Sequence, residues 1–527
     1  MSIRESLLQV AHEAGTSPEF PDAVRAEVAR IDLEAELRDP ALVDWQAYPF
    51  VTIDGPTSRD LDQALFVEAS ATGFVVRYAL ADAAHFVPIG SALFEEALVR
   101  GASVYFPGFA VPMLPRELSE GIVSLNPDGP RRALSFEVQI DGAGNVTGTK
   151  VLRTVIASRA KLSFPEVQRF YDEPAQSPLA GRDYEASLHA LRAVGRALTE
   201  EARRREVTRY RRTETELVVR ETDGEERLEL VDSPRLDVEL YNEQLSLLVN
   251  REGARILHES PLDAVEPIYR VHPAPPEERM HSLEATIAGI VRAHELPDTW
   301  LFQPAREPLG EYLARLPETG REGRVAAAIH RQAIVVNARS TFSSDLAGHH
   351  GVGAEAYARY SAPMREVVGV FVHHEMLEVL GHGGRIDPAL RARVVESANR
   401  SKDTQRKVNE LVFRTFLDAL LARDAKEPRS ARPHRSGTVM GLTSSKLHVA
   451  LDEPKADVKL YLRDLGRTRA EAAGKKAPAW LVVTDDGAVL RDKATDEIVA
   501  RVGDEVFVVL EGKDDRQDRW MLQLAPA

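Results

Sequence analysis

The sequence contains no cysteine among its 527 residues. Disulfides, iron–sulfur clusters and thiolate zinc sites are therefore excluded. This absence is typical of a reducing compartment, so we expect a cytoplasmic protein. The amino terminus carries Glu5 and Glu13 and no uninterrupted apolar segment, so it does not resemble a signal peptide. No apolar run reaches the roughly eighteen residues that a membrane-spanning helix needs, so none is expected.

Basic residues are also outnumbered, 67 against 82 acidic ones, which gives a formal charge of −15. This balance argues against a protein that coats nucleic acid through its whole surface, but it allows a locally basic channel. The basic run ARRREVTRYRR (202–212) is a candidate for the entrance of such a channel, with a solvated helix face as the simpler interpretation.

Several catalytic motifs are missing as well. The sequence has no G-x-x-x-x-G-K-[ST] loop, so no nucleotide cofactor is expected, and it has no G-x-S-x-G elbow. Adjacent histidines occur in HHGVG (349–353) and HHEML (373–377), but neither pair has the H-E-x-x-H spacing. A structural role for these histidines is therefore a simpler interpretation than a zinc site.

The chain divides into three regions, which together predict a multidomain α+β protein. Residues 1–46 contain an S-x-x-E capping box before an amphipathic run and predict a small helical module. Residues 47–427 begin with short apolar strands and show helical periodicity from about residue 155 onward, as expected of an α+β domain. Residues 428–527 begin with a proline- and arginine-rich linker and continue with short strands, which predict a small β-barrel.

The sequence leaves the roles of the two terminal regions open. The small helical module is either a helix-turn-helix-like element that contacts nucleic acid or a cap that packs on the next domain. The β-barrel is close to neutral in charge. A barrel of that kind can bind single strands through aromatic stacking and a few cations.

The segment TIDGPTSRDLDQAL (52–65) gathers three aspartates directly after an apolar strand. A Gly-Pro turn can bring Asp54 back towards Asp60 and Asp62. Converging carboxylates repel one another unless cations lie between them, and all-oxygen sites suit Mg²⁺ or Mn²⁺. The spacing alone is also compatible with an acidic solvated loop, so it does not decide between the two.

Most of residues 47–420 resembles the RNB-domain exoribonucleases, the RNase II and RNase R family. The resemblance rests on several segments in the family's order and not on one motif. After the aspartate segment these are YALADAAHFVPIG with the residues up to 127, EQLSLLVNREGARIL (243–257), IYRVHPAPPEER (268–279) and YARYSAPMRE (357–366). The barrel at 436–524 is similar to the S1-type OB fold that ends many of these enzymes.

The resemblance implies a 3′-to-5′ exoribonuclease that hydrolyses single-stranded RNA and releases 5′-mononucleotides. It also implies that Asp54, Asp60 and Asp62 bind magnesium, or manganese, and orient the attacking water. Gln63 stands where the family has a fourth aspartate; its carbonyl can ligate a metal but has no charge, so weaker metal affinity or lower turnover is expected. The alternative is a catalytically inactive RNB-fold adaptor that binds RNA, and Gln63 is its main support.

The resemblance implies roles for two further residues. Arg365 matches the arginine that grips the scissile phosphate and would be both catalytic and RNA-binding, and Tyr105 matches the tyrosine on which the terminal base stacks. From the residues alone, Tyr105 could equally be a core aromatic and Arg365 a surface ion-pair partner. REVVG (365–369) departs from the family, which has a second basic residue after the arginine, so rearranged phosphate contacts are expected.

Overall fold

The structure is a computed structural model that describes residues 2–205, 207, 208, 210, 214–222, 224–474 and 477–525. The basic run at 202–212, a candidate channel entrance, therefore lies partly outside the described residues. Within these ranges, no helix combines the length and the apolar character that crossing a membrane would require.

Helices form where the sequence offers amphipathic periodicity and capping residues. At the first helix, the Ser2 hydroxyl accepts from the Glu5 N–H and the Glu5 carboxylate accepts from the Ser2 N–H, which confirms the predicted capping box. The α-helices of the described chain are α1 (Ile3–Glu13), α2 (Asp22–Val28), α3 (Leu33–Glu36), α4 (Ala83–Phe86), α5 (Ala92–Arg100), α6 (Phe164–Asp172), α7 (Glu185–Arg204), α8 (Asp237–His258), α9 (Glu277–Ala293), α10 (Leu309–Ala314), α11 (Gly320–Val335), α12 (Val367–Val379), α13 (Pro388–Asp424) and α14 (Leu462–Ala472).

The strands form one large central sheet, a second sheet near the carboxyl terminus and several short pairs. The strands of the described chain are β1 (Val43–Asp44), β2 (Phe50–Asp54), β3 (Gln63–Ser70), β4 (Gly73–Ala81), β5 (Val104–Phe106), β6 (Phe109–Val111), β7 (Pro130–Asp141), β8 (Val146–Ser163), β9 (Thr215–Thr222), β10 (Glu225–Asp232), β11 (Tyr269–Val271), β12 (Thr341–Ser343), β13 (Arg435–Leu442), β14 (Lys446–Leu451), β15 (Asp457–Tyr461), β16 (Leu481–Val483), β17 (Val489–Asp492), β18 (Ile498–Arg501), β19 (Glu505–Asp514) and β20 (Arg519–Ala525).

The central sheet has the order β1-β8-β2-β3-β4-β7, and β7 also pairs with β8. The long strand β8 runs antiparallel to β7 in its first part and parallel to β2 near its end, so β8, β2, β3, β4 and β7 close into a ring. Because β2 is covered on both faces, Phe50, Val51, Thr52 and Ile53 are all buried. The strand ends at Asp54, which places the acidic segment at one end of this ring.

The carboxyl-terminal sheet has the order β15-β14-β13-β19-β20, and its two edge strands, β15 and β20, contact each other. A separate sheet of β16, β17 and β18 precedes β19. Ala488 and Val502 share a hydrophobic core with α9, α10 and α11. Arg324 on α11 also donates to both carboxylate oxygens of Asp452, at 2.9 and 2.8 Å. The carboxyl-terminal region is therefore packed firmly against the helices that precede it.

The amino-terminal helices pack directly on the central region. On α1, Leu7 and Val10 are buried against β5, β6 and α13. The carboxylate of Glu27 on α2 accepts from the N–H groups of Ala92 and Leu93, both at 2.9 Å, and so caps the start of α5. β1 follows these helices and already pairs with β8.

The hairpin formed by β9 and β10 differs from the helical structure expected after about residue 155. Its residues pair in antiparallel register over 215–222 and 225–232, and Leu217 and Val219 pack towards β5 and α13. A short ribbon with charged residues on its outer side gives only a weak alternation signal beside long helical periodicity. The prediction of helical structure was therefore wrong for this segment.

Candidate active site

The acidic segment is held between two strands of the central ring. β2 ends at Asp54 and β3 begins at Gln63. Between them, the Leu61 N–H donates to the Ser124 hydroxyl at 3.0 Å, and that hydroxyl donates to the Arg59 carbonyl at 2.7 Å. The buried Leu61 side chain adds an apolar anchor, so the loop follows a fixed path.

Asp62 lies at the centre of the site. It is 1% exposed, and its two carboxylate oxygens accept from the Met364 N–H at 2.9 Å and from Nε of Arg365. Burial raises the pKa of Asp62 to about 6, although Arg365 and the Met364 N–H favour the ionised form. A charge buried to this degree needs such a partner, so the ion pair fixes the segment around Arg365 against the aspartates.

Arg365 brings the other predicted residues together. Its pKa lies well above its ordinary value, chiefly because of Asp62, and Tyr105, Asp54 and Asp60 also contribute. Asp60 is half-buried, and its pKa is raised first by burial and then by the neighbouring Asp54 carboxylate. The Oδ1 of Asp54 accepts from the N–H of the next residue at 2.7 Å. Asp62 therefore bonds to this guanidinium, and Asp54, Asp60 and Tyr105 lie close enough to it to raise its pKa.

Gln63 lies next to this cluster, but its side-chain oxygen is already bonded. The carbonyl accepts a hydrogen bond from the hydroxyl of Tyr78, which is fully buried on β4. Burial raises the pKa of Tyr78 above its ordinary value, so the phenol stays protonated and continues to donate. The arrangement does not present Gln63 as an open ligand for a cation.

The donor atoms of the cluster suit a hard cation in part. Asp54 and Asp60 offer carboxylate oxygens of the kind that magnesium and manganese bind, and a cation would relieve their mutual repulsion. The oxygens of Asp62 are instead bonded to Met364 and Arg365. In the part of the chain that the structure describes, no three acidic or histidine side chains are arranged ready to hold a metal ion. A cation would therefore have to share Asp62 with Arg365.

The adjacent histidines have the contacts of structural residues. The Nε2 atoms of His373 and His374 lie 3.0 Å from the carbonyl oxygens of Tyr360 and Val87, respectively. Burial also lowers the pKa of His349 to about 4, so its ring is neutral near pH 7. These observations agree with the structural interpretation.

Tyr105 lies on a short hairpin that is attached to the segment around Arg365. The Ser103 N–H donates to the Arg365 carbonyl at 2.9 Å, and the Val367 N–H donates to the Gly101 carbonyl at 2.9 Å. Tyr105 is 47% exposed, so the core-aromatic interpretation is wrong. The Arg365 side chain lies close enough to the Tyr105 hydroxyl to affect its pKa, and Arg365 itself pairs with a buried acid and not with a surface one. An exposed ring beside the Arg365 guanidinium and three carboxylates is well placed to contact a ligand.

Further basic residues lie next to the site. No motif or spacing in the sequence marks them as functional residues. Glu366, which stands where the RNB family usually has a basic residue, forms paired hydrogen bonds with Arg359 at 3.2 and 2.9 Å. Arg270 and Lys402 are close enough to this pair to influence its charges. Burial, with a smaller contribution from Arg270, lowers the pKa of Lys402 to about 7. Arg270 lies in IYRVHPAPPEER, but that segment alone gives it no role.

Comparison with known proteins identifies the family. A profile of the RNB domain matches residues 42–382. Ribonuclease R of Vibrio parahaemolyticus is 28% identical over 359 residues, covering 67% of this chain and 41% of that protein. Ribonuclease R of Thermotoga maritima is 29% identical over 386 residues, covering 72% and 52%. The chain spans about half the length of these curated relatives.

Solved structures show the same fold. The apo form of Mycoplasma genitalium RNase R has a TM-score of 0.82 at 22% identity and covers 98% of this chain and 77% of that one. The yeast pseudonuclease Ssd1 has a TM-score of 0.69 at 12% identity, with coverages of 100% and 74%. The mixed α+β architecture is thus confirmed as that of RNase R. Because the domain match extends over well more than half of the chain, the protein belongs to the RNB domain family.

Proposed function

We propose that this chain is a metal-dependent 3′-to-5′ exoribonuclease that hydrolyses single-stranded RNA and releases 5′-mononucleotides. The convergence of Asp54, Asp60, Asp62 and Tyr105 on Arg365 carries the proposal. Hydrolysis at a strand end needs carboxylates for a cation, a fixed positive charge for the phosphate and a surface on which the last base stacks. Relatives named Ribonuclease R and, in Edwardsiella piscicida, Exoribonuclease 2 support this activity.

In this proposal Asp54, Asp60 and Asp62 hold magnesium, or manganese. The bound metal supplies positive charge that activates water and stabilises the oxygen atoms of the reacting phosphate. Gln63 contributes less than its position in the sequence indicates, because Tyr78 already binds its carbonyl.

Arg365 has two tasks in the proposed reaction. Its Nε bonds to Asp62 and so holds that carboxylate in place before substrate arrives. Its planar guanidinium carries further N–H donors, which can contact a phosphate oxygen in the same plane. The residue thereby couples the position of the phosphate to the position of the aspartates.

We assign residues 428–527 to an S1-like OB-fold domain that binds RNA. The strand order β15-β14-β13-β19-β20 and the contact of β15 with β20 support this assignment. The Arg519 guanidinium lies 4.1 Å from the centre of the Tyr461 ring, and Lys513 lies 5.4 Å from that of Trp520. Aromatic rings with nearby cations are the surfaces on which single strands bind.

We assign residues 1–46 to a helical cap and not to a separate nucleic-acid-binding module. The packing of α1 on β5, β6 and α13, and of α2 on α5, supports the cap. The remaining residues, 47–427, form the RNB catalytic domain in this assignment.

The alternative, an inactive RNB-fold adaptor, has less support. Ssd1 shows that the fold occurs in a pseudonuclease, but that likeness concerns the fold alone. The three aspartates and the arginine are all present here and are brought together, whereas an adaptor would not require them. Gln63 remains the one substitution in its favour.

The test is a time course on an unstructured, 5′-labelled RNA with magnesium, with manganese and with chelator, resolved by length. Metal-dependent shortening to a short stub, with 5′-mononucleotides released, is the expected result. RNA binding without shortening would instead establish the adaptor.

Replacing Tyr105 with alanine should lengthen the final oligonucleotide that resists degradation. Stacking contributes roughly 1–3 kcal/mol per base, so without the ring a short strand dissociates before its next cleavage. End products are compared on sequencing gels for the wild type, Tyr105→Ala and Tyr105→Phe. The phenylalanine variant keeps the ring and loses the hydroxyl, so it should retain the wild-type end product. An unchanged end product in Tyr105→Ala would remove this residue from the site.

Replacing Gln63 with aspartate should increase hydrolysis at low magnesium, and more strongly when Tyr78 is also changed to phenylalanine. A carboxylate adds negative charge to the cluster, and removing the Tyr78 hydroxyl also removes the donor that competes with a cation for the side-chain oxygen at this position. Magnesium titrations of Gln63→Asp, Tyr78→Phe and the double variant measure both effects. A magnesium requirement equal to that of the wild type in all three variants would exclude position 63 from the metal site.

A further inference from the structure

The main chain of Tyr105 is held by one side chain from a distant helix. The Tyr105 N–H donates to Oε1 of Gln405 at 2.9 Å, and Nε2 of Gln405 donates to the Tyr105 carbonyl at 3.1 Å. The same Nε2 donates to Oδ1 of Asn409, one turn along α13, at 2.8 Å. Tyr105 and Gln405 are 300 positions apart in the sequence. One amide therefore pairs with both main-chain groups of Tyr105, as a neighbouring strand would.

Other contacts hold the hairpin without acting on Tyr105 itself. Val104 and Phe106 are buried in a cluster with Leu7 of α1 and Val408 of α13. At Gly101, just before β5, a Cβ atom would lie 2.7 Å from a main-chain oxygen of α13, so the two elements are in close contact there. We therefore expect the hairpin to stay docked on α13 when the Gln405 amide is removed.

We propose that Gln405 is a positioning residue that sets the direction of the Tyr105 ring. The inference rests on the proposed function, in which that ring stacks on the terminal base. A ring that is 47% exposed is only partly oriented by packing, so its rotamer depends on the backbone from which it extends. The Gln405 amide fixes that backbone next to Arg365, and the terminal base is thereby held in line with the aspartates.

The consequence depends on substrate length. A long RNA has contacts outside the site, so a mobile Tyr105 ring costs it little affinity. The last few nucleotides depend on stacking, so their hydrolysis suffers most. Loss of Gln405 should therefore reproduce the effect of losing the Tyr105 ring, although Gln405 itself does not stack on the base.

The test uses Gln405→Met, which keeps the length of the side chain and removes both hydrogen bonds. Gln405→Glu is a second variant, which keeps the acceptor for the Tyr105 N–H and removes the donor. Thr404→Ala is the matched control, because the Thr404 hydroxyl bonds within its own helix, to the Arg400 carbonyl at 3.2 Å. Thermal unfolding of all three full-length variants reports whether the fold is intact.

Two readouts follow the ring. The first is quenching of 2-aminopurine at the 3′ end of a short RNA, measured with chelator so that no hydrolysis is needed. The second is kcat and KM with magnesium on short and long RNA. We expect Gln405→Met to lose quenching and to lower kcat/KM on the shortest substrates roughly tenfold, as a misplaced binding group does, with a smaller change on long RNA. In a Tyr105→Ala background the same change should have no further effect.

Wild-type quenching and wild-type kcat/KM on the shortest substrates in both Gln405 variants would overturn the inference. Additive losses in the double variant with Tyr105→Ala would also overturn it, because Gln405 would then act elsewhere. Failure of the proposed function can be told apart from failure of this inference. If the wild type does not hydrolyse RNA, the proposed function is wrong. If quenching is nevertheless lost in Gln405→Met, Gln405 still positions Tyr105 in a protein that only binds RNA. Equal losses in Thr404→Ala would reduce the effect to the stability of α13.

Discussion

Replacing Asp62 with asparagine should abolish hydrolysis while RNA binding in chelator stays close to that of the wild type. Asparagine can still accept from the Met364 N–H, so the local path of the chain is kept. It removes the negative charge that holds a cation and that pairs with Arg365. The loss of one preorganised charged group at a reacting phosphate costs about 10²–10³-fold in rate, and loss of the metal costs more.

The stability of the variant has to be separated from its chemistry, because Asp62 is buried. Breaking a buried ion pair costs about 3–5 kcal/mol when a charge is left without a partner. Here Asp54 and Asp60 also face Arg365, so we expect the lower end of that range or less.

A second buried pair provides the matched control for Asp62→Asn. Asp82 is 2% exposed and accepts from Nε of Arg132 at 3.2 Å, outside the acidic cluster. Asp82→Asn should lower the unfolding temperature and keep hydrolysis, whereas Asp62→Asn should lose hydrolysis at a temperature where it is still folded. Equal loss of activity in the two variants, or loss of RNA binding together with hydrolysis, would count against the catalytic assignment of Asp62.

The aspartate positions could be predicted from the sequence because their chemistry is local. Asp54 closes a strand whose four preceding residues are all apolar or small, and the next acids follow a Gly-Pro turn. That pattern limits where the carboxylates can lie. It does not show which of them is buried, and the structure places Asp62 inside and the other two at the edge of solvent.

The partners of these residues could not be predicted in the same way. Arg365 meets Asp62 across 303 positions of the chain, and only the resemblance to the RNB family indicated it. Gln63 and Tyr78 meet because β3 and β4 pair in one particular register, which the spacing of the residues does not specify. Gln405 lies on a helix of 37 residues, where nothing marks one glutamine among many polar positions.

Replacing Arg365 with lysine should reduce kcat/KM by about 10²–10³-fold, even though the positive charge is kept. In the proposed reaction, one side chain bonds to Asp62 through Nε and offers its other donors to a phosphate. A planar guanidinium does this with fixed geometry, whereas an ammonium group has one nitrogen and cannot hold both partners in the same plane. The lysine variant should therefore bind RNA and hydrolyse it poorly.

The salt dependence of RNA binding separates the charge of Arg365 from its shape. Each phosphate neutralised on a single strand contributes about −0.7 to the slope of log K against log salt concentration. Arg365→Lys should keep the wild-type slope and lose turnover, whereas Arg365→Ala should make the slope shallower by about 0.7 and also lose turnover. Arg77→Lys is the control, because Arg77 also pairs with carboxylates, those of Glu68 at 2.6 Å and Glu137 at 3.0 Å, but lies on the central sheet away from the cluster. If Arg365→Lys hydrolysed RNA as fast as the wild type, the positive charge at this position would be sufficient. A role for the planar guanidinium in holding Asp62 in plane with the phosphate would then be excluded.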